Sequence, residues 1–109
     1  MAKKNPRKTN STVKLLGKKG DIYILRLFIT GILPNSARAI VNINAICELY
    51  LKDRYELEII DIYQQPSLAL AEKIIAIPVL IKKFPLPEAR LIGDLSDIGM
   101  VLNGLHLIN

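Results

Sequence analysis

The chain reads as one α/β domain on a mixed four-stranded sheet, in the order β-α-β-α-β-β-α. Three observations carry this. Short apolar runs rich in β-branched residues alternate with stretches whose apolar residues recur every three or four positions. The last two apolar runs are separated only by Phe84-Pro-Leu-Pro87, too short for a crossover connection, so those strands must run antiparallel. Finally, 109 residues, half of them apolar, suit a single domain with a single core.

Each element has its own signal. Tyr23 to Ile29 is a nearly continuous apolar run, as in a central strand covered on both faces, with Arg26 the one intruder. Thr30-Gly-Ile-Leu-Pro34 breaks it, and Asn35 or Ser36 is placed to cap a helix. Ala39, Ile40, Ile43, Cys47 and Tyr50 then form a buried stripe running to about Leu51. Leu57 to Ile62 is the second strand, and the βαβ unit so formed should be right-handed and parallel. Pro66 suits the first position of a short helix to about Ile75 that buries Leu68, Ala71 and Ile75. Pro78 to Lys83 and Glu88 to Ile92 are the hairpin strands, with Pro tolerated at a strand's start. Asp94 is placed to cap the last helix and Asp97 to return a bond, with Leu95, Ile98, Leu102 and Leu105 facing inward. This is a thioredoxin-like layout. It predicts the strand order 2-1-3-4, the first and third helices on one face, and a cis peptide at Ile77–Pro78.

The charge divides the chain. Residues 1–20 hold Lys3, Lys4, Arg7, Lys8, Lys14, Lys18 and Lys19 with no acid; residues 21–109 hold eight bases and ten acids. The basicity therefore belongs to a leader and the domain spans 21–109. The plain reading of the leader is a solvated tail; contact with nucleic acid is the alternative. Val13-Lys-Leu-Leu16 interrupts it, either as a short edge strand or as nothing. No apolar run is long enough to span a membrane, and no signal peptide is evident. The single Cys47 forms no internal disulfide, so a reducing cytoplasmic setting is expected.

Catalytic chemistry is hard to place. A thioredoxin-like redox centre needs a thiolate at the start of the first helix, and that region reads Ile32-Leu-Pro-Asn-Ser-Ala37. Cys47 lies about three turns further on, facing inward. The only histidine, His106, has no Cys, His or carboxylate cluster at metal-ligand spacing, and a surface position is expected for it. Gly17-Lys-Lys-Gly20 lacks the length of a phosphate loop. No cofactor is expected.

Four phrases are more distinctive: Leu25-Arg-Leu-Phe-Ile-Thr-Gly31 followed by Pro34-Asn-Ser-Ala-Arg-Ala39; Ile59-Ile-Asp-Ile62 with Pro66 following; Lys73-Ile-Ile-Ala-Ile-Pro-Val-Leu80; and Arg90-Leu-Ile-Gly-Asp-Leu-Ser-Asp97. In order and spacing they resemble the KaiB family of clock and stress regulators, over roughly Ile24 to Ile108. The resemblance implies a non-enzymatic protein that binds a KaiC-like ATPase and, in some systems, a KaiA-like protein or a histidine kinase. It also implies self-association as a dimer or tetramer. It implies metamorphism too, the second half exchanging between the thioredoxin-like form and a ground state ordered β-α-β-β-α-α-β. By motif position, Arg38, Lys73 and Arg90 are the expected partner-binding charges. Pro78, Gly93, Asp94, Gly104 and His106 mark the region that rearranges. The thioredoxin-like state is expected to dominate, because His106 stands where relatives commonly carry Asp and their acidic tail has no counterpart. Bases common in the family are Val41, Asn44 and Ala89 here, which weakens the expected charge complementarity and keeps a self-associating module open as the alternative.

Overall fold

The structure, a computed structural model, describes residues 21–108. The expectations for the leader and for Val13–Leu16 lie outside the described residues. Strand β1 (Tyr23–Ile29) is central, with β2 (Tyr55–Asp61) parallel on one side and β3 (Val79–Phe84) antiparallel on the other. β4 (Ala89–Ile92) completes the sheet in the order β2-β1-β3-β4. The helices are α1 (Pro34–Tyr50), α2 (Pro66–Ala71) and α3 (Ile98–Gly104). The expected thioredoxin-like order is thus present throughout. Ile77–Pro78 is cis, as are Phe84–Pro85 and Leu86–Pro87.

Alternation along β1 sends its side chains to two cores. Tyr23, Leu25, Leu27 and Ile29 meet Ala39, Ile43, Ile46 and Cys47 of α1 and Val101, Leu102 and Leu105 around α3. Phe28 turns the other way, joining Ile60, Val79 and Ile81 beneath Leu68 and Ala69 of α2. Each fully buried aliphatic side chain contributes about 1.5–3 kcal/mol, so the larger cluster dominates. At six residues, α2 is only about 9 Å long. It covers one end of its sheet face and leaves the other to Arg26 and its partners.

Several local expectations are corrected. α2 ends at Ala71, which is exposed, and Ile75 is 95 % exposed rather than buried. The helical spacing continues past Ala71, but Lys73 takes a left-handed conformation (φ 56°) that stops the helix. Asp94 does not cap α3; Asp97 does, accepting from Met100 N at 3.1 Å. The chain turns at Leu95 (φ 64°), and helix begins only at Ile98. Ile98 is therefore exposed, and Val101 takes the inner position instead. Neither Asn35 nor Ser36 caps α1: Leu33 is the N-cap residue, without a side-chain bond. Tyr50 is 44 % exposed, at the last residue of α1.

Candidate functional site

The end of the sheet where β1, β2 and β4 finish and β3 begins collects the informative residues. The Thr30–Leu33 turn leads into α1, Leu33 N bonding Thr30 O at 3.1 Å and Thr30 N bonding the buried Ser36 Oγ at 3.1 Å. Pro78 lies beside this turn because Phe28 pairs with Val79, and Gly93 N donates to Pro78 O at 2.9 Å. No thiol or other strong nucleophile sits there. Cys47 is fully buried, and burial, with Glu48 adding to it, pushes its thiol up to about 12. A thiol so held is inert. Among the described residues no group of three His, Cys, Asp or Glu is placed to hold a metal. Nor is any helix among them long and apolar enough to cross a membrane.

The same end instead exposes large apolar side chains. Ile32 (after β1), Tyr63 (after β2), Ile75 (before β3) and Ile92 (last in β4) are 83, 75, 95 and 60 % exposed. Sheet topology places all four on one rim. Large apolar side chains exposed at one end of a sheet suit contact with another molecule.

Two of the three expected interface charges, Arg38 and Arg90, are already paired within the domain. Arg38, on the first turns of α1, pairs with Asp94 at 3.2 Å and also donates to Asn35 Oδ1. Asp94 accepts from Ser96 N at 3.0 Å, and its carboxyl lies below the usual range because of the Ser96 bonds first and Arg38 second. Asn42 donates to Asp94 O at 2.9 Å, so α1 is tied to the β4–α3 loop at two points. Arg90 lies on the opposite sheet face with Arg26 and Lys83, all three directed at Glu72 (3.4, 3.3 and 3.0 Å). Glu58 pairs with Arg26, and Glu88 with both Lys83 and Arg90. Lys73, next to Glu72, is exposed and has no ion pair among the described residues. The structure thus sets Arg90 on Glu72, with Lys73 the next residue in sequence and unpaired among the described residues, while Arg38 stands on the other face.

The remaining marked residues punctuate the hairpin and the C-terminal segment. Gly93 adopts φ 120°, a conformation L side chains rarely enter. Gly104 lets α3 approach β4 closely, since a Cβ there would collide with the Leu91 side chain. His106 is exposed as expected, yet its Nδ1 sits 2.9 Å from Nζ of Lys82. Lys82 is 1 % exposed, and burial lowers its pKa.

Sequence reading missed two residues, Glu72 and Lys82. A signal for Glu72 exists in the register: Arg26 lies beside Ile81 and Ile81 beside Arg90, with Lys83 two residues on, so three cations share one face and call for an anion. Lys82 carried no such signal, because a lysine on an edge-proximal hairpin is ordinarily solvated.

Comparison with known proteins is consistent across methods. A family model described as "KaiB domain" matches residues 26–107. The "Circadian clock oscillator protein KaiB" of Synechococcus elongatus is 46 % identical over 86 residues, covering 79 % of this chain and 84 % of that protein. The "Circadian clock protein KaiB3" of Synechocystis is 48 % identical over 85 residues, covering 78 % and 83 %. Among solved structures, the germline-specific thioredoxin Deadhead of Drosophila melanogaster superposes with a TM-score of 0.66 at 14 % identity, covering 82 % of this chain and 83 % of that one. Chloroplastic thioredoxin z gives 0.66 at 16 % identity, covering 81 % of each. These last two likenesses concern the fold alone.

Proposed function

The chain belongs to the KaiB family, and from that premise we propose that it is a non-enzymatic regulator of a clock or stress-response system that acts by binding a KaiC-like ATPase. One observation supports this above others. At the place where thioredoxin-like folds carry their thiols, this chain presents an exposed apolar rim (Ile32, Tyr63, Ile75 and Ile92) and seals its only cysteine in the core. A surface of that kind works by docking. In this reading Arg38, Lys73 and Arg90 supply the charges around the rim, steering an acidic partner and fixing its register. A KaiA-like protein or a histidine kinase is a further partner of the same kind.

Co-purification with the KaiC-like ATPase of the native host tests the reading, using wild type, Arg38→Glu and Ile75→Asp. Recovery by wild type and at least tenfold weaker recovery by both variants is expected. Equal recovery by all three would remove the rim and Arg38 from the interface. Failure of wild type to bind would remove the partner.

A self-associating module is the second reading, favoured by Val41 and Leu49. These stand 67 and 76 % exposed on the outer face of α1, two turns apart. Light scattering that shows a stable dimer or tetramer unmoved by the ATPase would favour it.

A further inference from the structure

We infer that two copies of this chain pair through the outer faces of α1, antiparallel about a two-fold axis at the level of Ile43. The inference rests on the self-associating reading and gives it a surface. α1 turns Ala39, Ile43, Ile46 and Cys47 into the core. At about 100° per residue, the face opposite Ile43 carries Ala37, Arg38, Val41, Ala45, Glu48 and Leu49, and all six are exposed. That face is complementary to itself read backwards: positions 37 and 49, 38 and 48, and 41 and 45 are equidistant from Ile43. A two-fold axis there sets Val41 level with the partner's Ala45, so a larger side chain meets a smaller one twice at the centre of the seam. Ala37 likewise lies level with the partner's Leu49. Small side chains at the contact let two helix axes come within about 8–10 Å, and an isologous interface demands this self-complementarity.

Charge fixes the direction and the occupant. The only charged residues of α1 are Arg38 and Glu48, of opposite sign. The same axis places Arg38 level with Glu48 of the partner subunit and Glu48 level with the partner's Arg38, giving two ion pairs. Both side chains are more than half exposed. Arg38 keeps Asp94 and Asn35, and Glu48 keeps Lys52 and Tyr55. A guanidinium has five donors and a carboxylate about four acceptor sites, so both have capacity left. Parallel pairing would instead set Arg38 against the partner's Arg38 and Glu48 against the partner's Glu48, which the repulsion rejects. An unrelated helix would need one acid and one base at the same spacing; a second copy supplies them by symmetry.

Size sets the strength. With 17 residues, α1 is about 26 Å long. One helix face of that length buries less than the roughly 1,200 Å² of a standard stable interface. The dimer is therefore transient and depends on concentration, and its two ion pairs, at the surface, make it sensitive to salt.

Sedimentation equilibrium of the full chain at low salt tests the seam, with wild type, Arg38→Glu, Glu48→Arg and the double reversal, each checked by circular dichroism for an unchanged fold. Expected is a monomer–dimer equilibrium in wild type, weakened roughly tenfold or more by either single reversal and restored to within about threefold by both together. Arg38→Glu also loses Asp94, and Glu48→Arg loses Lys52 and Tyr55. The double reversal repairs neither loss, so restoration reports the contact between copies. Val41→Asp, at a position exposed in the monomer, should weaken the dimer as well. Association that ignores both reversals, or a double reversal no better than the single ones, overturns the α1 seam and leaves self-association to another surface. Wild type that stays monomeric up to about 1 mM overturns the seam and the self-associating reading together.

Discussion

The contact between Lys82 and His106 permits a quantitative test of what anchors the C-terminal segment. Lys82 is 1 % exposed, and its ammonium has one side-chain partner among the described residues, Nδ1 of His106 at 2.9 Å. Replacing His106 with Ala leaves a buried cationic donor unsatisfied, which costs about 1–3 kcal/mol. Taking about 2 kcal/mol, the midpoint of thermal unfolding should fall by roughly 8–16 °C for a domain of this size. Lys82→Met keeps most of the buried stem and removes the charge; it should be neutral within about 1 kcal/mol or stabilising, as with other buried ions replaced by packed apolar groups. In the Lys82→Met background, His106→Ala should then cost little. The double-mutant cycle in urea, followed by far-ultraviolet circular dichroism, should give a coupling of about 2 kcal/mol. The pH dependence has a definite sign. Burial lowers the folded-state pKa of Lys82 from its ordinary 10.5, so the unfolded chain binds more protons between the two values and stability rises with pH across that window. Lys82→Met should abolish this rise. A His106→Ala cost that is the same in both backgrounds, or a Lys82→Met loss matching a core truncation, would refute the reasoning.

Three shorter predictions follow from the same structure. Glu72→Gln removes the anion shared by Arg26, Lys83 and Arg90 and should destabilise by about 1–3 kcal/mol, partly recovered in high salt as cation repulsion is screened; a loss insensitive to salt would contradict the electrostatic account. Cys47, with its thiol raised to about 12 by burial, should resist a disulfide reagent in the native protein at pH 8 and react at once in urea; stoichiometric native labelling would show that it is accessible. Asp97→Ala deletes the bond to Met100 N and should cost about 1 kcal/mol, visible as faster amide exchange confined to α3 and absent if another group takes over the cap.

The framework was legible because its signals are redundant. The β1 run, the α1 stripe through Ala39, Ile43 and Cys47, and the short Phe84–Pro87 link each constrain topology independently, and all agree with the observed sheet. Boundaries that depend on one backbone conformation were not legible. Lys73 and Leu95 both occupy the left-handed region, which neither residue type favours, so α2 stopped early and α3 began late. That displacement put Ile75 and Ile98 outside and moved the cap from Asp94 to Asp97. The candidate site was legible only in its residue types: no thiol at the start of α1, and Arg38, Lys73 and Arg90 as the charges proposed for the interface. Its wiring was not, because the partners of Arg38 and Arg90 are distant in sequence: Asp94 and Glu72 meet them only through the fold.

That wiring bears on how docking would work. Arg38 is half exposed yet held by Asp94 and Asn35, while Arg90 is held by Glu72 and Glu88. Cations fixed in this way lose less side-chain entropy on binding than free ones. A partner carboxylate need not break the pairs, because a guanidinium has five donors and each intramolecular contact uses only one or two. Lys73 lacks such a tether, and its flexible stem gives a charge that adapts to the partner rather than one that fixes register. In the proposed interface the two arginines therefore set geometry, and the apolar rim of Ile32, Tyr63, Ile75 and Ile92 supplies the buried area between them. Charge reversal at Arg38 should then impair binding more than removal of Lys73, because it both repels the partner and removes one of the two ties between α1 and the β4–α3 loop, leaving only the bond from Asn42 to Asp94 O.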